Sequence, residues 1–214
     1  MREDDGRMNF PIWLLGDSEP DNWKDILETP LDPRHPIRHN IWTSVLDIIQ
    51  DEVYRENGKR IDSSAIYIRN AIRDAVNKPS RNEIVWQENL CMEVNKLKDI
   101  IELNKPPIII CFGAFAFEFA RRALEEEPKR NYHYWGAREL GYEFRNRINS
   151  FQPMSVNLIP LLHRSIAGGK FIQSHNYFCN NEGANYFKYV GSELAKKILE
   201  YIDQPEIWIK RNDA

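Results

Sequence analysis

The sequence predicts an α/β protein: a three-layer α/β/α sandwich around a central, mainly parallel sheet of four strands. Three observations predict it. Ile108 to Phe112 is an unbroken apolar run without alternation, and three of its residues are β-branched. A strand written this way has both faces covered, as in a parallel sheet flanked by helices. Gly113 follows at once and opens a helix with Phe115, Phe119, Ala120 and Ala123 on one side, which makes half of a βαβ unit. Along the rest of the chain, short apolar runs alternate with helical periodicities.

In order, residues 1–9 read as a frayed tail, and the core spans about 10–202 of a single domain, 1–214. Pro11 to Leu15 is a short strand closed by Gly16, followed by a polar turn from Asp17 to Trp23. Pro30, Pro33 and Pro36 make residues 28–40 irregular. Trp42, Val45, Leu46, Ile49 and Val53 recur at helical spacing, and Asn57-Gly58 stops that helix. Ala65 to Arg69 is a second strand, ending at Asn70. After a loop around Pro79, a long helix carries Trp86, Leu90, Val94, Leu97 and Ile101 in register. Residues 121–147 hold many arginines among Tyr132, Tyr134, Trp135, Tyr142 and Phe144. They read as an ordinary solvated surface over buried aromatics, with a nucleic-acid face as the competing reading. Val156 to Leu162 is the last strand, and Pro160 inside it points to an edge position or a bulge. Residues 164–183 read as a long loop. The final helix carries Phe187, Val190, Leu194 and Ile198.

Composition excludes several function classes. A net charge of −3 gives no overall basic field. Cys91, Cys111 and Cys179 are far apart without a Cys-x-x-Cys, which argues for a reducing compartment and against a disulfide framework. No apolar run approaches membrane-spanning length, so the expectation is a soluble, cytoplasmic chain that needs no membrane. His35, His39, His133 and His175 lack metal-ligand spacing, so no metal site is expected. Gly168-Gly-Lys170 has the look of a phosphate cradle but lacks the fuller P-loop pattern.

In parallel sheets, function gathers beyond the carboxyl ends of the strands. Here those ends are Gly16-Asp17, Asn70, Gly113 and His163, so Asp17, Asn70 and His163 are expected along one rim. Taken alone, Asp17 is equally a turn or capping residue, Asn70 a loop tie and His163 a satisfied core histidine.

At these residues the chain resembles the uracil-DNA glycosylase superfamily. Ile66-Tyr-Ile-Arg-Asn70, Lys78-Pro-Ser-Arg81, Glu88-Asn-Leu-Cys91 and Pro106 through Gly113 to Ala116 are similar to its bacterial and archaeal branch. Gly16-Asp17-Ser-Glu-Pro20 resembles the family's first motif, and Leu161-Leu-His163-Arg-Ser165 its last. The resemblance implies a uracil-DNA glycosylase-like fold and hydrolysis of the N-glycosidic bond of uracil, or a related deaminated base, flipped from DNA. It implies that Asn70 reads the base, that His163 hydrogen-bonds the uracil O2, and that Asp17 orients water or offsets the sugar's positive charge. Trp23 is placed to stack on the base. Arg164, Ser165, Gly168, Gly169 and Lys170 belong to a DNA-entering loop, with a wedge between Ile166 and Phe171. The partners are then DNA and a small nucleobase, and no cofactor is implied.

The chain departs from the family's pattern in three places. Three residues rather than two separate Gly16 from Pro20, so Asp17 and Glu19 compete for the acidic role, and Glu19 is a second candidate for contact with the base. Arg164 stands where proline is usual. The four cysteines of the related branch's iron–sulfur cluster are not present, so no cluster is expected. The alternatives are a catalytically silent nucleobase- or DNA-binding module of the same fold, and an unrelated α/β nucleotide-binding protein.

Overall fold

The structure is a computed structural model, and it describes residues 2–19, 26–35, 38–80, 82–163, 172–201 and 207–209. The strands are β1 (Asp4–Asp5), β2 (Ile12–Gly16), β3 (Ile66–Asn70), β4 (Ile108–Phe112) and β5 (Asn157–Leu161). The helices are α1 (Thr43–Asn57), α2 (Glu88–Asn104), α3 (Ala114–Ala123), α4 (Ala137–Asn149), α5 (Ile172–Cys179) and α6 (Tyr186–Glu200).

The protein is α/β, and its sheet has five strands in the order β1-β3-β2-β4-β5. The four expected strands are all parallel, whereas β1 is an antiparallel addition at the edge. The fifth strand corrects both the expected strand count and the frayed tail. Two aspartates carry no strand periodicity; tertiary contact holds them instead. Tyr67 lies on β3, its ring 4.7 Å from that of Trp13, and its hydroxyl donates to Asp4 Oδ2 at 2.8 Å. Burial, with Asp4 beside it, pushes the Tyr67 phenol up from its ordinary range, so it stays a donor.

All five residues of β4 are buried, as an apolar run between two parallel neighbours requires. β5 is the opposite edge of the sheet, which accommodates Pro160 without a missing ladder donor toward a further strand. Asn157 locks the start of β5. Its Nδ2 donates to the carbonyls of Pro107, Gln152 and Ser155 at 2.7–2.9 Å, and its Oδ1 accepts from Gln152 N–H.

The connection from β2 runs through α1 to β3 on one side, and the chain then returns through α2 to β4 on the other side of β2. The order therefore reverses between β2 and β4, the switch point at which open α/β sheets leave a crevice beyond their strand ends. α1 packs against α6, and Trp42, just before α1, meets the Phe112 ring edge-on at 6.3 Å. On α3, Phe119 stacks with Trp86, ring centroids 6.1 Å apart.

Two helices stand where the sequence showed none. α4 lies inside the arginine-rich segment and α5 inside the expected loop 164–183. In α4, Leu140, Phe144 and Ile148 make a buried stripe at helical spacing, which the dense charge around it obscures. Part of the arginine-rich segment is internal: Arg121 and Arg122 are buried, whereas Lys129, Arg130 and Arg138 are exposed. Glu118, fully buried on α3, accepts from Arg121 and Arg122 at 3.0 and 2.9 Å, and also from Trp135 Nε1 and the Arg130 N–H at 2.8 Å. Glu126 binds Arg121 and, through two hydrogen bonds, Arg147. Arg122 also lies over the Trp86 ring at 3.8 Å. The solvated-surface reading is corrected for Arg121 and Arg122, which are buried because α3 supplies their counter-charge.

Replacing Glu118 by alanine strands two buried guanidinium groups and is expected to cost about 3–5 kcal/mol in urea unfolding. A loss below about 1 kcal/mol, the scale of a surface pair, would show that the arginines reach water instead.

Candidate functional site

At the switch point lies a cavity of about 170 Å³, lined by residues at the carboxyl ends of β2, β3 and β4 and just past β5. A dry cavity of about 150 Å³ holds one benzene ring, so this one has room for a single ring. Asp17, Asn70 and His163, the three expected rim residues, all line it. Phe112, the last residue of β4, forms an aromatic wall.

Two glycines seat two of these side chains. Gly16 pairs with Asn70 across β2 and β3, and a Cβ on Gly16 would stand 2.3 Å from Asn70 Oδ1. The Asn70 carboxamide therefore occupies space that only a glycine leaves open. Gly113 has φ +90°, and a Cβ there would stand 2.8 Å from the Cβ of His163. Each glycine ends a central strand, and each admits a side chain from the neighbouring outer strand. His163 is also fixed from behind. The Gly113 N–H donates to the Leu161 carbonyl at 2.8 Å, and the Leu162 N–H donates to the Tyr186 hydroxyl at 2.9 Å.

Beyond their last paired residues, the exits of β2 and β3 stay side by side. Ala71 N–H donates to the Gly16 carbonyl at 2.9 Å, Ile72 N–H to that of Asp17 at 3.3 Å, and Glu19 N–H to that of Arg73 at 3.0 Å. Asp17 is turned toward Lys78, whose Nζ lies 2.5 Å from Oδ1. That buried oxygen accepts no aligned hydrogen bond, so the contact is charge pairing without good directional geometry. The ammonium also lies 5.5 Å from the centroid of the Phe115 ring.

The remaining wall is the segment 27–35, which contributes Leu27, Thr29, Pro30, Leu31 and His35. Asp32 organises it. Its carboxylate accepts from the Glu28 N–H and from the Arg34 N–H, Nε and Nη2, at 2.7–3.0 Å. The Arg34 side chain beside it holds the Asp32 carboxyl well below the usual carboxylate range.

Glu19 does not join the site. It lines a separate cavity behind β3, which removes it as the rival of Asp17 and as a base-contacting residue of this cavity. Trp23, Arg164, Ser165, Gly168, Gly169 and Lys170, with the wedge between Ile166 and Phe171, lie outside the described residues. Among the described residues, no group of three or more His, Cys, Asp or Glu side chains is arranged to hold a metal ion. No described helix is long and apolar enough to cross a membrane.

Phe112, Lys78 and His35 were not singled out as site residues from the sequence. Phe112 had a usable signal, since it precedes the strand-ending Gly113. Lys78 belongs to a segment that carried the family resemblance. His35 had none, because a turn held by Asp32 brings it to the cavity. No protein-family model and no curated protein matches the chain.

The two glycines are expected to respond differently to alanine. In Gly16→Ala the new methyl meets only the tip of a side chain, so Asn70 swings aside with little change in stability; the NMR shift of its side-chain amide reports the displacement. In Gly113→Ala it meets a Cβ at a left-handed φ, and urea unfolding is expected to show a loss of about 1–3 kcal/mol. For Asp32, the lowered folded pKa means that its contribution is complete above about pH 4 and is lost only as pH falls through the folded value. The Glu28 and Arg34 amides, which donate to the Asp32 carboxylate, are expected to stay protected through the ordinary carboxylate range in the native protein and to lose protection at neutral pH in Asp32→Ala.

Proposed function

We propose that the protein is a DNA glycosylase of the uracil-DNA glycosylase superfamily, an α/β/α sandwich that hydrolyses the N-glycosidic bond of uracil, or a related deaminated base, flipped out of DNA. The observation that carries this reading is the meeting of Asp17, Asn70 and His163 at one ring-sized cavity, from three separate strand ends. The strand reversal at the same place supports it, because a crevice there is where such sheets bind their ligands.

In this reading each residue has a task. The Asn70 carboxamide offers a donor and an acceptor side by side, which matches the O4 and N3–H edge of uracil. The Phe112 ring and the apolar residues of segment 27–35 enclose the ring. His163 donates to O2, where negative charge grows as the bond to the sugar breaks, so the donor is worth more in the transition state than in the bound substrate. Asp17 offsets the positive charge on the sugar and orients the water. That water gives its hydroxyl to C1′ and its proton to the departing base. A volume suited to one ring favours a pyrimidine over hypoxanthine or xanthine. Flipping costs a few kcal/mol, which contacts to the DNA backbone must offset. In this reading the segment from Arg164 to Lys170 makes them.

One observation favours a second reading, a nucleobase-binding module without turnover. Lys78 already pairs with one of the two Asp17 carboxylate oxygens, which draws on the charge the catalytic reading assigns to the sugar and the water.

Oligonucleotides carrying uracil, hypoxanthine or xanthine separate the two readings. The glycosylase reading expects abasic sites from the uracil strand, with His163→Ala slower by about 10²–10³-fold, the usual effect of losing one such donor. Uracil binding lost in Asn70→Ala, with no abasic product from any substrate, selects the second reading. Absence of both binding and product removes both.

A further inference from the structure

A second cavity, of about 240 Å³, lies behind β3 and shares Asn70 with the first. Successive residues of a strand face opposite ways, so Arg69 lines this one, while Ile68 lines the other. Its floor holds two buried opposite charges, Glu19 at 5% exposure and Arg69 at 8%, while the more exposed Glu3, Arg73 and Glu93 also line it, Glu93 paired with Lys96. Among the described residues, the sole ion-pair partner of Glu19 is Arg73 Nε at 3.5 Å, and that arginine is 64% exposed. Arg69 donates from Nε to the Asn70 carbonyl at 3.3 Å, neighbours the Tyr67 hydroxyl, and forms no ion pair with a described carboxylate. The two charges face one space without reaching each other. Burying ions so poorly neutralised is costly unless something else completes them.

The chemistry of the floor narrows what completes it. A simple anion would meet the Glu19 carboxylate, and a simple organic cation would meet the Arg69 guanidinium. A divalent metal lacks a ligand set among the described residues. A molecule with an N–H-bearing cation at one end and a carboxylate at the other satisfies both. Arginine, with its planar fork, suits a carboxylate. The Asn77 and Asn89 side chains at the cavity add neutral donors and acceptors. We propose that this cavity binds a small zwitterion of the α-amino-acid class, its ammonium on Glu19 and its carboxylate on Arg69. The proposal does not rest on any action on DNA, and Glu19 and Arg69 belong to this cavity alone.

The test uses the full chain, with the common free amino acids supplied one at a time at millimolar concentration and with acetate and guanidinium as half-ligands. At least one amino acid is expected to raise Tm saturably, as a ligand of the native state must, and to shift the amides of residues 69–73 and 89–93. Glu19→Gln, which keeps the side chain's shape, and Arg69→Met are each expected to abolish both responses. Without ligand, Glu19→Gln is expected to melt no lower than the native protein, because a poorly compensated charge has gone. If no amino acid binds, or if acetate or guanidinium alone gives the same response, the proposal is overturned. A lowered Tm of Glu19→Gln without any ligand response would assign Glu19 a structural task instead.

Discussion

The parallel register of β3, β2, β4 and β5 is the constraint on which the rest of the molecule depends. Gly16 lies opposite Asn70, Leu15 opposite Cys111, and Phe112 opposite Leu161, so the strands finish nearly level. Side chains alternate along a strand, and a slip of one residue would carry Asn70 or Phe112 to the other face. The register is held from several directions. β4 is apolar on both faces and cannot present either to water. Asn157 ties the start of β5 to three carbonyls. Tyr67 joins β3 to Trp13 on one side and to β1 on the other.

From that register follows the separation of two adjoining cavities that share Asn70. Asp17 faces a small, largely apolar one with an aromatic wall, whereas Arg69 and Glu19 face a wider one with more charged groups in its lining. Alternation sorts the β3 residues, and the parallel run of the two exit segments past the strand ends sorts the carboxylates. The glycines let side chains approach backbone that would otherwise exclude them. Close approach at Gly16 and the left-handed turn at Gly113 have one outcome, which is to aim Asn70 and His163 into the same space.

The arginines of α3 and α4 illustrate how misleading a run of charge is without its partners. Glu118, Glu126 and Glu143 neutralise Arg121, Arg122 and Arg147 within the fold, and the rings of Trp86, Trp135 and Phe117 cover their planar groups. A guanidinium paired and covered in this way contributes little field outside the protein. Arg121, Glu126 and Arg147 therefore act as a brace between α3 and α4.

The amino-acid sequence by itself determined the α/β class, the four parallel strands and the rim that carries Asp17, Asn70 and His163. It could do so because apolar runs, helical periodicity and strand-ending glycines are local signals, and parallel strands that end together bring distant residues to one edge. Tertiary structure alone decided the fifth strand, the placing of Asp17 and Glu19 at different cavities, and the positions of Lys78 and His35 at the rim. Each of these rests on where segments meet in the folded chain: a tyrosine hydroxyl that pins Asp4, a lysine that reaches across to Asp17, and the turn around Asp32 laid against the strand ends. Local spacing carries no record of such contacts, because they exist only once the sheet has set the distances.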